Sequence, residues 1–495
     1  MTSHAPLLRY FPALLFAGLA LLSWLLAFNG LYGQDAHEYV RQCRAIVDAW
    51  SGGLASAVTL GDSQFAQGYP VAGALLTYLT GDPILGLQII SWVAYAASVF
   101  ALERLLNLLS HGSRADSRVV FIGLGLALSP VFVKAGFTVM SDSLALAFAL
   151  GAFYYGLKWL EQHRGRDVRW AAFLTALAVS TRPAMGALIF PMALVIGLQL
   201  LERRRWSLFF GALLLAALVL WPQLIRQQGL LSNLGQHSLV QNWSATHFFQ
   251  RSFSDLNSGN AVYAVPNILY LLFPLFHPGF CLTLAGLWLL AKKTDLALVS
   301  KRVIVAGIIV YLLLIGGLPH QNLRYLLPVY ALLLLLFFPS WDRMYCYGLY
   351  FFKRLTWSII GVTCLVQLFF SVRTVMPVIQ RNHLEKAIAE HVRRHVPSGS
   401  VVYGFDMDVA MRTYLPELEW RNMWIERYQQ FPPGSFVLFN EALLKAQWAG
   451  KNPMLNWADM HTSCRLEEIA DENKHLKNGW TLYRFDTLNV KTVEE

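Results

Sequence analysis

Apolar stretches of membrane-spanning length recur from residue 7 to residue 376, and this repetition constrains the fold more than any other feature of the chain. A bilayer crossing needs about 20 consecutive apolar residues. Leu7 to Phe28 supplies the first, too long and too poor in a small-residue cleavage site to read as a removable signal peptide. Ten more lie near 84–108, 118–137, 140–160, 169–182, 184–201, 206–226, 266–291, 302–318, 323–340 and 355–376, the fifth span (169–182) short enough to be broken. With 56% hydrophobic and 14% charged residues, the expected class is a polytopic α-helical membrane protein of about 11 spans. Five cysteines (Cys43, Cys281, Cys346, Cys364, Cys464) lack CxxC spacing and indicate neither a zinc site nor a disulfide framework.

A formal charge of +10 invites a nucleic-acid reading, but its distribution fits a membrane instead. With the N-terminus inside, the inner connections hold 18 Lys and Arg residues and the outer connections eight. The positive-inside rule then sets the N-terminus in the cytoplasm. The other 14 basic residues lie beyond residue 376, and an odd number of spans leaves that tail outside.

Residues 29–83 form a long first outer loop. In HEYVRQCRAIVDAW, Val40, Cys43, Ile46, Val47 and Trp50 recur at helical spacing, which predicts an amphipathic helix on the membrane surface. VAGALLTYLT reads as a second, interfacial or half-inserted helix. A second long outer loop, 227–266, carries His237, His247, Arg251 and Asp255, and reads equally as a mobile lid or an inert connection. From 377 to 495 the composition is that of a small soluble α/β domain. NHLEKAIAEHVRRHV and DMDVAMRTYL read as helices; SVVYGF, SFVLFN and WTLYRF read as strands. Neither GxGxxG nor a P-loop occurs, and no internal repeat suggests an inverted-repeat transporter.

In this topology the charges near the outer ends of spans gather on one side: Asp35, His37 and Glu38; Asp62; Lys134; Asp142; Arg182; and His320 with Arg324. Ionisable groups at the edge of hydrocarbon usually face a protein cavity, because each costs about 2.5–3.5 kcal/mol on insertion scales. Arginine's planar fork matches phosphate oxygens and stays charged. Carboxylates on one side and arginines on the other suit attack of a deprotonated hydroxyl on a sugar whose leaving group is a lipid phosphate. Each residue also has a plainer reading. Asp35 suits an N-cap; His37 and Glu38 suit a surface, slightly ahead of acceptor contacts; Asp62 and Asp82 suit turns; Arg324 suits an interfacial anchor paired with Asp142.

Several stretches together carry a resemblance. They are GQDAHEY after the first span, QGYPVAGALLTYLTGDPILGLQIIS before the second, MSDSLALAFALGAFYYGLKWL at the fourth, STRPAMGALIFP around the fifth and sixth, and PHQNLRYLLPVYALLLLL at the tenth. In order and spacing, over residues 7–340, the chain resembles the GT-C glycosyltransferases that use polyprenyl-phosphate sugars, the superfamily of protein O-mannosyltransferases and the lipid A aminoarabinose transferase. The resemblance implies an inverting transfer from a polyprenyl-phosphate-linked sugar donor to a lipid, glycan or protein acceptor on the outer face of a bacterial inner membrane. It implies that Asp35 is the catalytic base, that Arg324 with His320 lies near the donor phosphate, and that Asp142 and Arg182 stand at recurrent positions of the outer mouth. Arg182 is assigned to the donor phosphate, while His37, Glu38 and Asp142 are assigned to catalytic support or acceptor binding. Many relatives set two acidic residues side by side in the first loop; here His37 separates Asp35 from Glu38, and Asp35 is preferred. No cofactor is required by the sequence and no metal ligand set is assigned, although some members of the family hold a divalent cation near this loop. Two other classes fit less well: a transporter or flippase of lipid-linked sugars, and a non-catalytic membrane scaffold.

Overall fold

The computed structural model describes residues 5–52, 66–110, 112–226, 242–255, 259–280, 298–469 and 479–486. Asp62, His237, residues 281–291 of the stretch 266–291 expected to span and residues 227–241 of the second outer loop lie outside the described residues. Close contacts divide the chain into two compact units. The first comprises Met1–Gly30, Gln42–Gln250 and Val265–Pro377; the second comprises Leu31–Arg41, Arg251–Ala264 and Val378–Glu495.

The first unit is a helical membrane body. Among the described residues six helices are long and apolar enough to cross a bilayer, or seven if one sharply bent pair counts as a single span. Its elements begin with α1 (Ala5–Leu25), the second half of α2 (Gly33–Trp50), α3 (Gly68–Thr80) and α4 (Pro83–Leu109). Val40, Cys43 and Ile46 of α2 are buried. Cys43 lies 3.4 Å from the Thr77 hydroxyl of α3, so this end of α2 packs on protein, not only on lipid. Helix α3 leaves Leu75 and Leu79 exposed, as an interfacial helix must.

The span expected at 118–137 is two helices, α5 (Ala115–Ile122, continued by a wider turn to Ala127) and α6 (Pro130–Phe137), bent by 72°. Pro130 opens α6, and proline disfavours helical backbone in the residue before it, so Ser129 is extended and the ladder breaks there. The next helices are α7 (Asp142–Gln162), α8 (Gly165–Thr181), α9 (Met185–Glu202) and α10 (Trp206–Arg226), followed by α11 (Leu298–Gly316) and α12 (Leu327–Phe351). Helix α13, Lys353–His395, contributes residues up to Pro377 to the first unit and the remainder to the second.

The second unit holds the α/β domain. Five strands, β3 (Val401–Gly404), β4 (Glu419–Asn422), β5 (Phe436–Phe439), β6 (Arg465–Glu468) and β7 (Thr481–Asp486), run in the order β4-β3-β5-β7-β6. β3 pairs parallel with β4 and β5, while β7 pairs antiparallel with β5 and β6. All four residues of central β5 are buried, the pattern of a strand covered on both faces. The domain helices are α14 (Asp408–Tyr414), α15 (Glu441–Trp448) and α16 (Asn452–Ser463). A hairpin of the second outer loop, β1 (Ser252–Asp255) with β2 (Gly259–Val262), belongs to this unit. Gly259 explains its seat: φ is +66°, and a Cβ there would stand 2.7 Å from the carbonyl of Gln447 on α15.

Candidate active site

The expected site residues fall into two groups, one in each unit. In the first unit, buried Asp142 forms an ion pair with the partly covered Arg182. Asp142 opens α7, where the helix dipole favours a carboxylate. Arg182 closes α8 in an extended conformation (φ −153°), as Pro183 demands of the residue before it. Arg182 rather than Arg324 is thus the partner of Asp142, correcting the pairing suggested for a mere anchor.

Arg324 sits in a single 3₁₀ turn, Leu323–Leu326, and its own backbone N–H donates to the Asn322 side chain at 3.2 Å. This turn is braced from outside its own sequence. The Asn267 amide donates to the carbonyls of Gly316 (3.0 Å) and Leu318 (2.7 Å), the Gln321 amide to Val265 (2.7 Å), and the Tyr270 hydroxyl to Asn322 (2.6 Å). Residues 243–247 of the second outer loop close on the same end of α11: the Ser244 amide donates to Gly317 at 2.9 Å, and the Trp243 indole to Leu314 at 3.1 Å. That part of the loop is docked, not a free connection.

Tyr325 collects the charges. The Arg182 guanidinium lies 4.8 Å and the Arg324 guanidinium 5.4 Å from its ring centre, and the His320 ring meets it edge-on at 5.3 Å. Two arginines over one aromatic ring keep their forks at fixed spacing through cation–π attraction. Arg324 also donates to the Met140 sulfur at 3.3 Å, and Lys134 lies within its electrostatic reach. The structure therefore brings Asp142, Arg182, His320 and Arg324 together, with a surplus of positive charge.

In the second unit, Asp35, His37 and Glu38 lie at the start of α2. Asp35 is inside the first helical turn, which begins at Gly33, so it is placed as a dipole-favoured acid and not as an N-cap ahead of the helix. Its side chain is half-buried. Both carboxylate oxygens of Glu38 accept from Arg41, at 2.6 and 2.8 Å. His37 departs most from its plain surface reading. It is 1% exposed, and its Nε2 lies 3.1 Å from a carboxylate oxygen of Glu385 on α13. The other Glu385 oxygen accepts from Arg381 at 2.9 Å, and Arg381 donates also to Asp406 at 2.9 Å. Asn382 donates to the Leu31 carbonyl at 3.0 Å.

Sequence reasoning named neither Tyr325 nor Glu385 as site residues. Tyr325 stood inside the PHQNLRY motif, but aromatics are too common here to single out. Glu385 left a fainter signal: it shares a helical face with buried Ile388 and Val392, where a carboxylate needs a partner. Among the described residues no group of three or more His, Cys, Asp or Glu could hold a metal ion.

Part of the sequence and the whole fold have counterparts among known proteins. Residues 69–225 match a family described as dolichyl-phosphate-mannose-protein mannosyltransferase. Over the whole length, the fold is similar to that of ArnT from Cupriavidus metallidurans bound to undecaprenyl phosphate. That match has a TM-score of 0.62 at 12% identity, covering 96% of this chain and 98% of the other. The apo form of the same protein matches with a TM-score of 0.59 at 12% identity, covering 95% of this chain and 97% of the other. No curated protein matches the sequence.

Proposed function

We propose that the chain is an inverting glycosyltransferase that moves a sugar from a polyprenyl-phosphate donor to an acceptor of the cell envelope, on the outer face of a bacterial inner membrane. Asp35 takes the proton of the acceptor hydroxyl as that oxygen attacks the anomeric carbon. The bond from the anomeric carbon to the phosphate oxygen breaks, and polyprenyl phosphate leaves with the added negative charge. Arg182, Arg324 and His320 offset that charge, with Asp142 holding Arg182 in place. Positively charged donors aimed at a leaving phosphate are among the largest single contributions to such a reaction.

The observation that most supports this reading is the pair of guanidinium groups over Tyr325, in a fold similar to that of a protein crystallised with undecaprenyl phosphate. Asp35 is favoured over Glu38 as the base because it holds the first-outer-loop acidic position that the GQDAHEY resemblance implies. The test is transfer of a labelled sugar from a polyprenyl-phosphate donor by the purified protein. Asp35→Asn is expected to lower kcat by about 10²–10⁴-fold, the usual worth of a general base. Equal turnover by the variant would remove Asp35 from that role.

A further inference from the structure

We propose that Glu385 is a positioning residue for Asp35: its buried carboxylate, seated on His37 Nε2, sets the first turn of α2 and so the direction of the Asp35 side chain. This rests on the reading of Asp35 as the base. The start of α2 is held to α13 at two points, one just before the helix and one just past its first turn, both inside the second unit. Asn382 takes the Leu31 carbonyl at 3.0 Å, four residues before Asp35, and Glu385 takes His37 at 3.1 Å, two residues after it. Asn382 and Glu385 are three apart on one helix, hence on one face. All three side chains, His37, Asn382 and Glu385, are 1% exposed or less.

The arrangement is more than a buried pair. Glu385 divides its two oxygens between His37 and Arg381, and Arg381 divides its nitrogens between Glu385 and Asp406. Every charged member is therefore opposed by another, which is what permits a carboxylate at that depth. The Tyr414 ring meets His37 edge-on at 5.5 Å and closes the remaining side. His37 Nδ1 is buried with no hydrogen-bond partner. Among the described residues the Nε2–Glu385 contact is therefore the ring's polar hold, and it fixes the ring plane and with it the helical turn carrying Asp35. A general base acts over a hydrogen-bond distance, so a small rotation of that turn is costly to the rate and indifferent to donor binding.

The experiment compares full-length variants in the labelled-sugar assay. Glu385→Ala is expected to lower kcat at least tenfold while the donor KM stays within about twofold. Glu385→Gln keeps a carbonyl oxygen for the His37 N–H and should recover a large part of the rate. His37→Gln, which retains a donor toward Glu385, should behave likewise. Glu390→Ala, an exposed site further along α13, should match the wild type. In an Asp35→Asn background Glu385→Ala should add little, because residues acting through one group are not additive. If Asp35→Asn disables the enzyme while Glu385→Ala turns over at the wild-type rate, the positioning role is wrong and the base assignment stands. If Glu385→Ala destabilises the protein and neither Glu385→Gln nor His37→Gln retains the kcat of a folded enzyme, the contact is only structural and the proposal fails. A wild type that transfers no sugar instead removes the underlying reading.

Discussion

At the scale of single residues, the ion pair Asp142–Arg182 holds structure and, in the proposed mechanism, also holds the donor phosphate, and mutation separates the two. Arg182→Ala strands a carboxylate that is 4% exposed, and breaking a buried pair from one side typically costs about 3–5 kcal/mol. Arg182→Ala with Asp142→Asn removes both charges together and should restore much of the stability, read as a melting temperature in detergent, without restoring donor affinity. Recovery of both would make Arg182 purely structural. Which residue types gather at the site was legible in the sequence, because Asp142, Arg182 and Arg324 are charges at the ends of apolar runs. Their pairing was not. Asp142 stands closer in sequence to Arg182 than to Arg324, but only packing decides which guanidinium reaches it. His37 misled for a related reason: a polar residue early in an amphipathic helix looks solvated until a carboxylate 348 residues away covers it.

At the scale of elements, apolar periodicity identified helices well and strands selectively. β3, β5 and β7 carry apolar runs and are readable, whereas β4 (EWRN) and β6 (RLEE) are the two sheet edges, largely polar, with no apolar run to betray them. The 72° break in 118–137 was also hidden, since its apolar content is continuous and only Pro130 hints at it. Helix α14 carries a prediction of its own. Burial pushes the Asp408 carboxyl up to about 6 from an ordinary 3.8, although Arg412 and a hydrogen bond from Asn422 pull it down. Folded chains therefore bind this proton more tightly than unfolded ones between those values. The contribution of Asp408 to stability is greatest at low pH and is lost as pH rises through about 6. Thermal unfolding followed by tryptophan fluorescence between pH 4 and 7 should show that loss in the wild type, and Asp408→Asn should flatten it. An unchanged slope in the variant would assign the pH dependence elsewhere.

At the scale of the whole molecule, the second unit draws on three separate parts of the chain. It takes Leu31–Arg41 and Arg251–Ala264 from the two outer loops as well as the chain from Val378 onward. Segments so far apart in sequence leave no compositional trace, and close approach at Gly259 or a buried His37 is visible only in three dimensions. Charge asymmetry predicts the orientation. Reporter fusions at the C-terminus should be active only in a reporter that works outside the cytoplasm, and fusions within the basic connection at 203–205 only in one that works inside. The opposite pattern would invert the topology and put Asp35 on the wrong face. The central claim is chemical, and a single assay addresses it most directly: purified wild-type and Asp35→Asn protein, each given a labelled polyprenyl-phosphate sugar and an envelope extract. The wild type should transfer label to an acceptor and release polyprenyl phosphate, and the variant should do so at a rate lower by about 10²–10⁴-fold. Label that stays on the lipid with both proteins, or moves equally fast with both, would contradict the claim.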